Sequence, residues 1–281
     1  MRLHVTSLFA IALVASCGAP AAEPEAQPPA SYLQFAGDKS FVEIPGSPAS
    51  VSSQGLTVAV WMRPDTLTFT NTEGRDPGER YVHWLGKGER GREEWTFRMY
   101  SRLRSDGPGS PSDTPGPRAN RISFYVFNPE GLRGCGSYFQ DPIVAGEWIH
   151  VVGVADASAL TTTIYKNGEL RHSDSYRDTI DPHAGAAPLR FGTRDFASFF
   201  QGGIGPVLAW SRPLTAPEVR DLYTAGVVPQ DHLIARYGLT EGTGTSVRDS
   251  AGGADGTLTG VTWSTGKSPI QHSRGTSGGG C

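Results

Sequence analysis

The sequence predicts an all-β fold: an antiparallel two-sheet β-sandwich with one short C-terminal helix. Three observations predict it. Glycine and proline, 36 and 21 of 281 residues, are too frequent for a helical bundle, while 10% aromatics are enough for a sizeable core. Short apolar segments alternate with period two and are bounded by Gly, Pro, Asn or Asp. A single segment carries the start and stop signals of a helix.

The expected strands begin with Tyr32–Phe35, Phe41–Ile44, Leu56–Arg63 and Tyr81–Lys87. In Trp95–Arg102, Trp95, Phe97 and Met99 fall on one face and Arg98, Tyr100 and Arg102 on the other. In Arg121–Asn128, Ile122, Phe124 and Val126 oppose Ser123, Tyr125 and Phe127. Such alternation is what a strand with one buried face requires. Trp148–Asp156, Thr161–Lys166, Leu189–Phe191 and Gly203–Ser211 continue the series. Asn167-Gly168 favours positive φ at both turn positions, so Thr161–Lys166 and Glu169–His172 form a two-residue hairpin. Thr215-Ala-Pro-Glu218 is a capping box that opens a helix with Val219, Leu222 and Tyr223 on its apolar face and Gly226 as its stop. About ten short strands and one helix within roughly 195 residues fit a single jelly roll. Asp106–Arg118 (DGPGSPSDTPGPR) reads as a long surface loop between two strands.

The ends have different roles. Residues 1–16 read as a secretion signal, with Arg2 as the charged start and Leu8–Ala15 as an apolar run too short to span a bilayer. Val14-Ala15-Ser16-Cys17 resembles a lipobox, which implies cleavage before Cys17 and a lipid on its thiol. Residues 17–31 form a Pro/Ala-rich tether, extended and semi-rigid. A folded domain over 32–263 follows, with its core in 32–226 and added strands in 233–263, then a flexible tail over 264–281. This places the protein at the cell envelope, exported and lipid-anchored. For the remaining cysteines, a Cys135–Cys281 disulfide, a free terminal thiol and an intermolecular bridge are all compatible with the sequence. A net charge of −3 without a basic block argues against a nucleic-acid partner.

Four stretches in order resemble the LamG-like, concanavalin A-like jelly-roll domains: YLQFAGDKSFVEIP at Tyr32–Pro45, LTVAVWMRP at Leu56–Pro64, the GEWIHVVGVAD and TTTIYKNGEL pair within Gly146–Leu170, and Pro188–Leu222. Asn120–Gln140 is similar to a bacterial subgroup. The resemblance implies two antiparallel sheets packed face to face. Leu233–Trp263 resembles a segment that often opens such domains; here it comes last and is expected to add strands to the same sandwich.

Catalytic motifs are missing from the sequence. The glucanases of this fold carry Glu-x-Asp-x-x-Glu on one strand, and no such run occurs. Glu89 and Glu93-Glu94 lie in KGERGREE, expected to be a solvated turn. There is no Gly-x-Ser-x-Gly and no His-Glu-x-x-His. His150 sits where the family packs a strand centre and is expected in the core. No metal ligands and no cofactor are expected. For calcium, both acidic positions implied by the resemblance are lost, one of them to Gly203-Ile204-Gly205-Pro206, and Asp38 and Asp195 read as turn residues. The remaining candidates are Arg98, Tyr100 and Tyr125, on strand faces opposite the core pattern, where aromatic rings stack on sugars and arginine gives planar hydrogen bonds. The reading is a surface-anchored, non-catalytic module that binds a glycan or an envelope protein. Two alternatives stand beside it. One is a polysaccharide hydrolase or lyase using His150, Arg98 and Tyr125. The other is a structural or accessory envelope protein gripping a partner by loop 106–118.

Overall fold

The computed structural model describes residues 26–74, 80–102, 118–128, 133–176 and 181–265. Cys17, Cys281, the signal segment, most of loop 106–118 and the tail from residue 266 lie outside them, while Ser264 and Thr265, expected in the tail, belong to the last strand. The first eight strands are β1 (Ser31–Ala36), β2 (Phe41–Ile44), β3 (Gly55–Pro64), β4 (Tyr81–Glu89), β5 (Arg92–Tyr100), β6 (Ile122–Phe127), β7 (Gly134–Phe139) and β8 (Ile149–Asp156). Then come β9 (Thr161–Lys166), β10 (Glu169–Ser175), β11 (Leu189–Phe191), β12 (Gln201–Trp210) and helix α1 (Ala216–Ala225). The chain closes with β13 (Leu233–Tyr237), β14 (Ser246–Val247), β15 (Gly256–Thr259) and β16 (Thr262–Thr265).

All strand pairs are antiparallel and build two sheets, as a jelly roll requires. The first sheet runs β10-β9-β8-β3-β12-β1-β16, with β13 also paired to β12. The second runs β14-β15-β2-β11-β4-β5-β6-β7. The segment from Leu233 thus feeds both sheets: β13 and β16 join the first, and β15 pairs with β2 in the second. Among the described residues no helix is long and apolar enough to cross a membrane.

The alternation seen in the sequence becomes the core. Trp95, Phe97, Met99, Ile122, Phe124 and Val126 of the second sheet face Val58, Val60, Met62 and Val151 of the first. Phe124 lies 5.0 Å from Phe97 ring to ring and sits over Gly153 of β8, where a Cβ would come 2.4 Å from the ring. Gly153 therefore makes room for an aromatic from the opposite sheet.

A second, smaller core lies on the outer side of the first sheet. There Leu214, Val219 and Leu222 cover Ala59, Val152, Val154, Tyr165 and Trp210. The helix starts as the capping box predicts, with Thr215 and Glu218 bonding reciprocally, and stops at Gly226 with φ 63°. The outer side of the first sheet is thus occupied by α1. The outer side of the second sheet carries the polar and aromatic residues described next.

One expectation needs correction. The charged turn shrinks to Arg90-Gly91, because β4 runs to Glu89 and β5 starts at Arg92. Glu93 and Glu94 are therefore strand residues, 8% and 0% exposed. Glu94 Oε1 accepts from Lys87 Nζ at 2.9 Å, and Lys87 also donates to Gly185 and Ala187 carbonyls. Burial is tolerated because the charge is paired. In addition, Gly134–Phe139 is a strand, β7, although it lacks a strand pattern.

Candidate functional site

The site forms where β4, β5, β6 and β7 lie side by side. Antiparallel register sets His83 of β4 and Ser123 of β6 beside Arg98 of β5, and Tyr81 beside Tyr100. Directly paired residues share a face, so these groups project outward together. Tyr125 and Phe127 of β6 have the same parity. Their partners on β7 are Gly136 and Gly134. A Cβ on Gly136 would stand 2.6 Å from Tyr125 Cγ, and one on Gly134 would stand 2.7 Å from the Phe127 ring. The two glycines clear a shelf on which the rings lie across the sheet edge.

Arg98 is the centre. Its Cζ lies 4.7 Å from the Tyr81 ring centroid, 4.5 Å from Tyr125 and 5.6 Å from Phe127, so the guanidinium is held between aromatic faces. Its Nε donates to His83 Nε2 at 3.0 Å. Arg194 Nη1 donates to the same nitrogen at 3.3 Å. A nitrogen accepting from guanidinium groups is deprotonated, so the proton of His83 is on Nδ1 and is donated to Glu73 Oε1 at 2.6 Å. Burial, with Arg194 and Arg98 nearby, holds the His83 pKa well below its ordinary value. Ser198 Oγ also donates to Glu73 Oε1, at 2.7 Å, and accepts from the His83 backbone N–H. The chain Glu73–His83–Arg98 fixes the plane of the guanidinium and leaves its Nη edge without an acceptor among the described residues.

Two more arginines flank this centre. Arg121 lies 3.9 Å over the Tyr138 ring and donates Nε and Nη2 to Gln140 Oε1. Arg118 lies 5.6 Å from the Tyr100 ring. Tyr138 is 36% exposed, with the Arg121 guanidinium over its ring and the His172 ring 5.0 Å away. Burial raises the Tyr125 hydroxyl above its ordinary range, and Arg98, Arg118 and Arg121 all act on it electrostatically.

Glu73, His83 and Asp195 bring one ligand atom each within 4.8 Å of one another, the spacing of a metal centre. The donor set does not fit a cation. His83 Nδ1 is used on Glu73, His83 Nε2 faces Arg98 and Arg194, and Asp195 Oδ2 accepts from Arg194 Nη2 at 2.6 Å. A cation there would meet two guanidinium groups.

The sequence candidates separate. Arg98 and Tyr125 come together. Tyr100 is 2% exposed and forms the floor beneath Arg118 and Arg121. His150 does not join them. It stands on the outer side of the first sheet, 5.1 Å from Trp61 and 5.7 Å from Tyr223 of α1, with burial lowering its pKa to about 3. Cys135 is partly buried, with Sγ 3.6 Å from the Ser175 carbonyl; Cys281, one of the partners the sequence allows it, lies outside the described residues. Sequence reading missed Tyr81, His83, Phe127, Glu73, Arg194 and Ser198. The first three follow the same parity rule; the others come from loops and carry no local signal.

A larger groove, of about 770 Å³, lies on the other side of the sandwich between hairpin β9–β10 and α1, walled by Tyr165, Leu170, Pro217 and Tyr223.

The family model for the concanavalin A-like lectin/glucanases superfamily matches residues 36–220, more than half of the chain. No curated protein sequence matches it. Among solved structures, a "putative carbohydrate binding protein" from Bacteroides ovatus ATCC 8483 is similar over 88% of this chain and 62% of that protein's length, with TM-score 0.57 and 20% identity. The native heptameric SAP-like pentraxin from Limulus polyphemus is similar over 81% of this chain and 94% of its own, with TM-score 0.53 and 14% identity. At these identities the likeness is one of fold. With sheet order, core and family model in agreement, the chain belongs to the concanavalin A-like lectin/glucanases superfamily.

Proposed function

We propose that the protein is a non-catalytic carbohydrate-binding module held at the cell envelope by a lipid on Cys17. The observation that carries this reading is the arginine–aromatic face of the second sheet. Tyr81 and Tyr125 bracket Arg98 at 4.7 and 4.5 Å, and the partly exposed Tyr138 lies two strands away in register with Arg98. Aromatic rings give sugars a stacking surface, and a fixed guanidinium gives directional donors. The similarity to a protein described as carbohydrate binding supports the same reading.

The acids of this face support a non-catalytic role. Two-carboxylate glycoside hydrolysis needs one carboxyl free to protonate the leaving group and another free to attack or activate water. Here Glu73 accepts from His83 and Ser198, while Glu93 and Asp195 accept from Arg194. His150, the base that a hydrolase or lyase reading needs, is on the opposite side of the sandwich.

A glycan screen with the full chain tests the reading, run with calcium and then with chelator. Binding that survives chelation and is lost in Tyr125→Ala is expected. Turnover of a bound polysaccharide, or an empty screen, overturns it. Cys17→Ser should release the protein from the membrane fraction; continued membrane association would remove the anchor.

A further inference from the structure

We propose that the Arg98 face recognises an anionic glycan, with the Nη edge of Arg98 clamping a uronate carboxylate or a sulfate ester. This rests on the carbohydrate-binding reading above and names the ligand class.

The argument is a balance of donors and acceptors. Each carboxylate on this face already accepts within the protein, Glu73 from His83 and Ser198, Glu93 and Asp195 from Arg194, and the unpartnered Oε2 of Glu93 is buried out of a ligand's reach. Among the described residues, Arg98 and Arg121 have no carboxylate within ion-pairing distance, although the chain as a whole carries a net charge of −3. What the face offers a ligand is therefore mostly donors and rings. A neutral sugar presents hydroxyls that donate as well as accept, and their donor half would find little here; leaving it unpaired on binding costs free energy. A carboxylate or sulfate only accepts. It matches a guanidinium edge in bidentate geometry, which gives stronger hydrogen bonds than a neutral partner does.

Preorganisation points the same way. Nε of Arg98 is tied to His83, whose tautomer is set by Glu73, and the guanidinium is packed between Tyr81 and Tyr125. The side-chain entropy that weakens exposed ion pairs is already lost before the ligand arrives. Partial burial among rings also lowers screening, so a single ion pair here is worth more than on an open surface. Arg121, packed 3.9 Å over the Tyr138 ring and tied to Gln140, sets a second cation on the same face.

The test is titration calorimetry of the full chain at fixed ionic strength with three probes: oligogalacturonate as the free acid, the same oligomer fully methyl-esterified, and a sulfated galactan. At least one anionic probe is expected to bind tenfold or more tighter than the ester, and more weakly as salt rises. Which anionic probe binds identifies the acidic group. Arg98→Ala should lose tenfold or more in affinity. Arg98→Lys, which keeps the charge but not the fork, should fall between, and its thermal melt checks that the fold is intact. Equal affinity for acid and ester, both lost in Tyr125→Ala, overturns the anionic assignment and leaves carbohydrate binding standing. Anionic binding unchanged in both Arg98 variants places the site elsewhere and overturns it. Failure of all three probes overturns it as well, and the broad glycan screen then decides whether the carbohydrate reading falls too.

Discussion

Lowering the pH from 7 to 5 should destabilise the fold, by about 2 kcal/mol through His150 and further through His83, two histidines that are neutral when folded. His83 and His150 are both buried, and burial depresses both pKa values, that of His150 to about 3. In the unfolded chain each titrates near 6.5. Below that value the unfolded state binds more protons than the folded state, so stability is present above pH 6.5 and is lost as the pH falls. Over this interval His150, which stays neutral in the fold, contributes a loss of about 2 kcal/mol, and His83 adds to it in the same direction. The window isolates the effect. Glu218, held near 2 by Arg212, contributes stability above its unfolded pKa of about 4.3, and that is lost only at still lower pH. Urea unfolding followed by tryptophan fluorescence at pH 7, 6 and 5 measures the loss. His150→Phe keeps a ring against Trp61 and Tyr223 and removes the titration, so the loss should shrink by about 2 kcal/mol. Stability that is flat from pH 7 to 5, or a loss unchanged in His150→Phe, refutes the reasoning. Glycan affinity should hold over the same range, because a neutral His83 keeps Arg98 aimed.

Other perturbations follow from the packing. Gly136→Ala drives a Cβ to 2.3 Å from the Phe124 carbonyl and 2.6 Å from Tyr125, so it should cost about 1–3 kcal/mol in chemical denaturation and weaken glycan binding by displacing Tyr125. Lys87→Met strands the buried Glu94 carboxylate and should cost about 3–5 kcal/mol, while adding Glu94→Leu should recover more than half of that in a double-mutant cycle. Thr215→Ala removes the cap of α1 and should cost about 1 kcal/mol in the same assay, with glycan affinity unchanged because α1 covers the other sheet.

Much of the fold was legible because its determinants are local. The alternation in β5 and β6, the Asn167-Gly168 turn with φ of 53° and 78°, and the Thr215 capping box all act within a few residues. Strand β7 was not legible for a physical reason. GCGSYF has weak strand propensity, and two of its residues are glycines that local rules read as a turn. They are strand residues because the rings of Tyr125 and Phe127 need the space that a Cβ would fill. The charged stretch before β5 was misread in a related way. A solvated turn is the local reading of KGERGREE, and only the distant Gly185 and Ala187 carbonyls, with Lys87, make a fully buried Glu94 tolerable.

The same divide runs through the site. Parity alone placed Arg98 and Tyr125 on one face, and it applies equally to Tyr81 and His83, although an irregularity in β4 between His83 and Leu85 interrupts the register there. Parity is silent on Glu73, Arg194, Asp195 and Ser198, which reach His83 and its neighbours only because the loops around β4 and β11 converge over the sheet. Yet those loop residues decide the chemistry. If Glu73 or Asp195 were paired to Arg98, the face would be neutral and suited to hydroxyl recognition. Because Arg194 and His83 take those carboxylates, Arg98 keeps its charge and its open edge. A strand pattern can name the residues of a binding face. The ligand class depends on which charges are already neutralised from outside the strands, and that follows from topology.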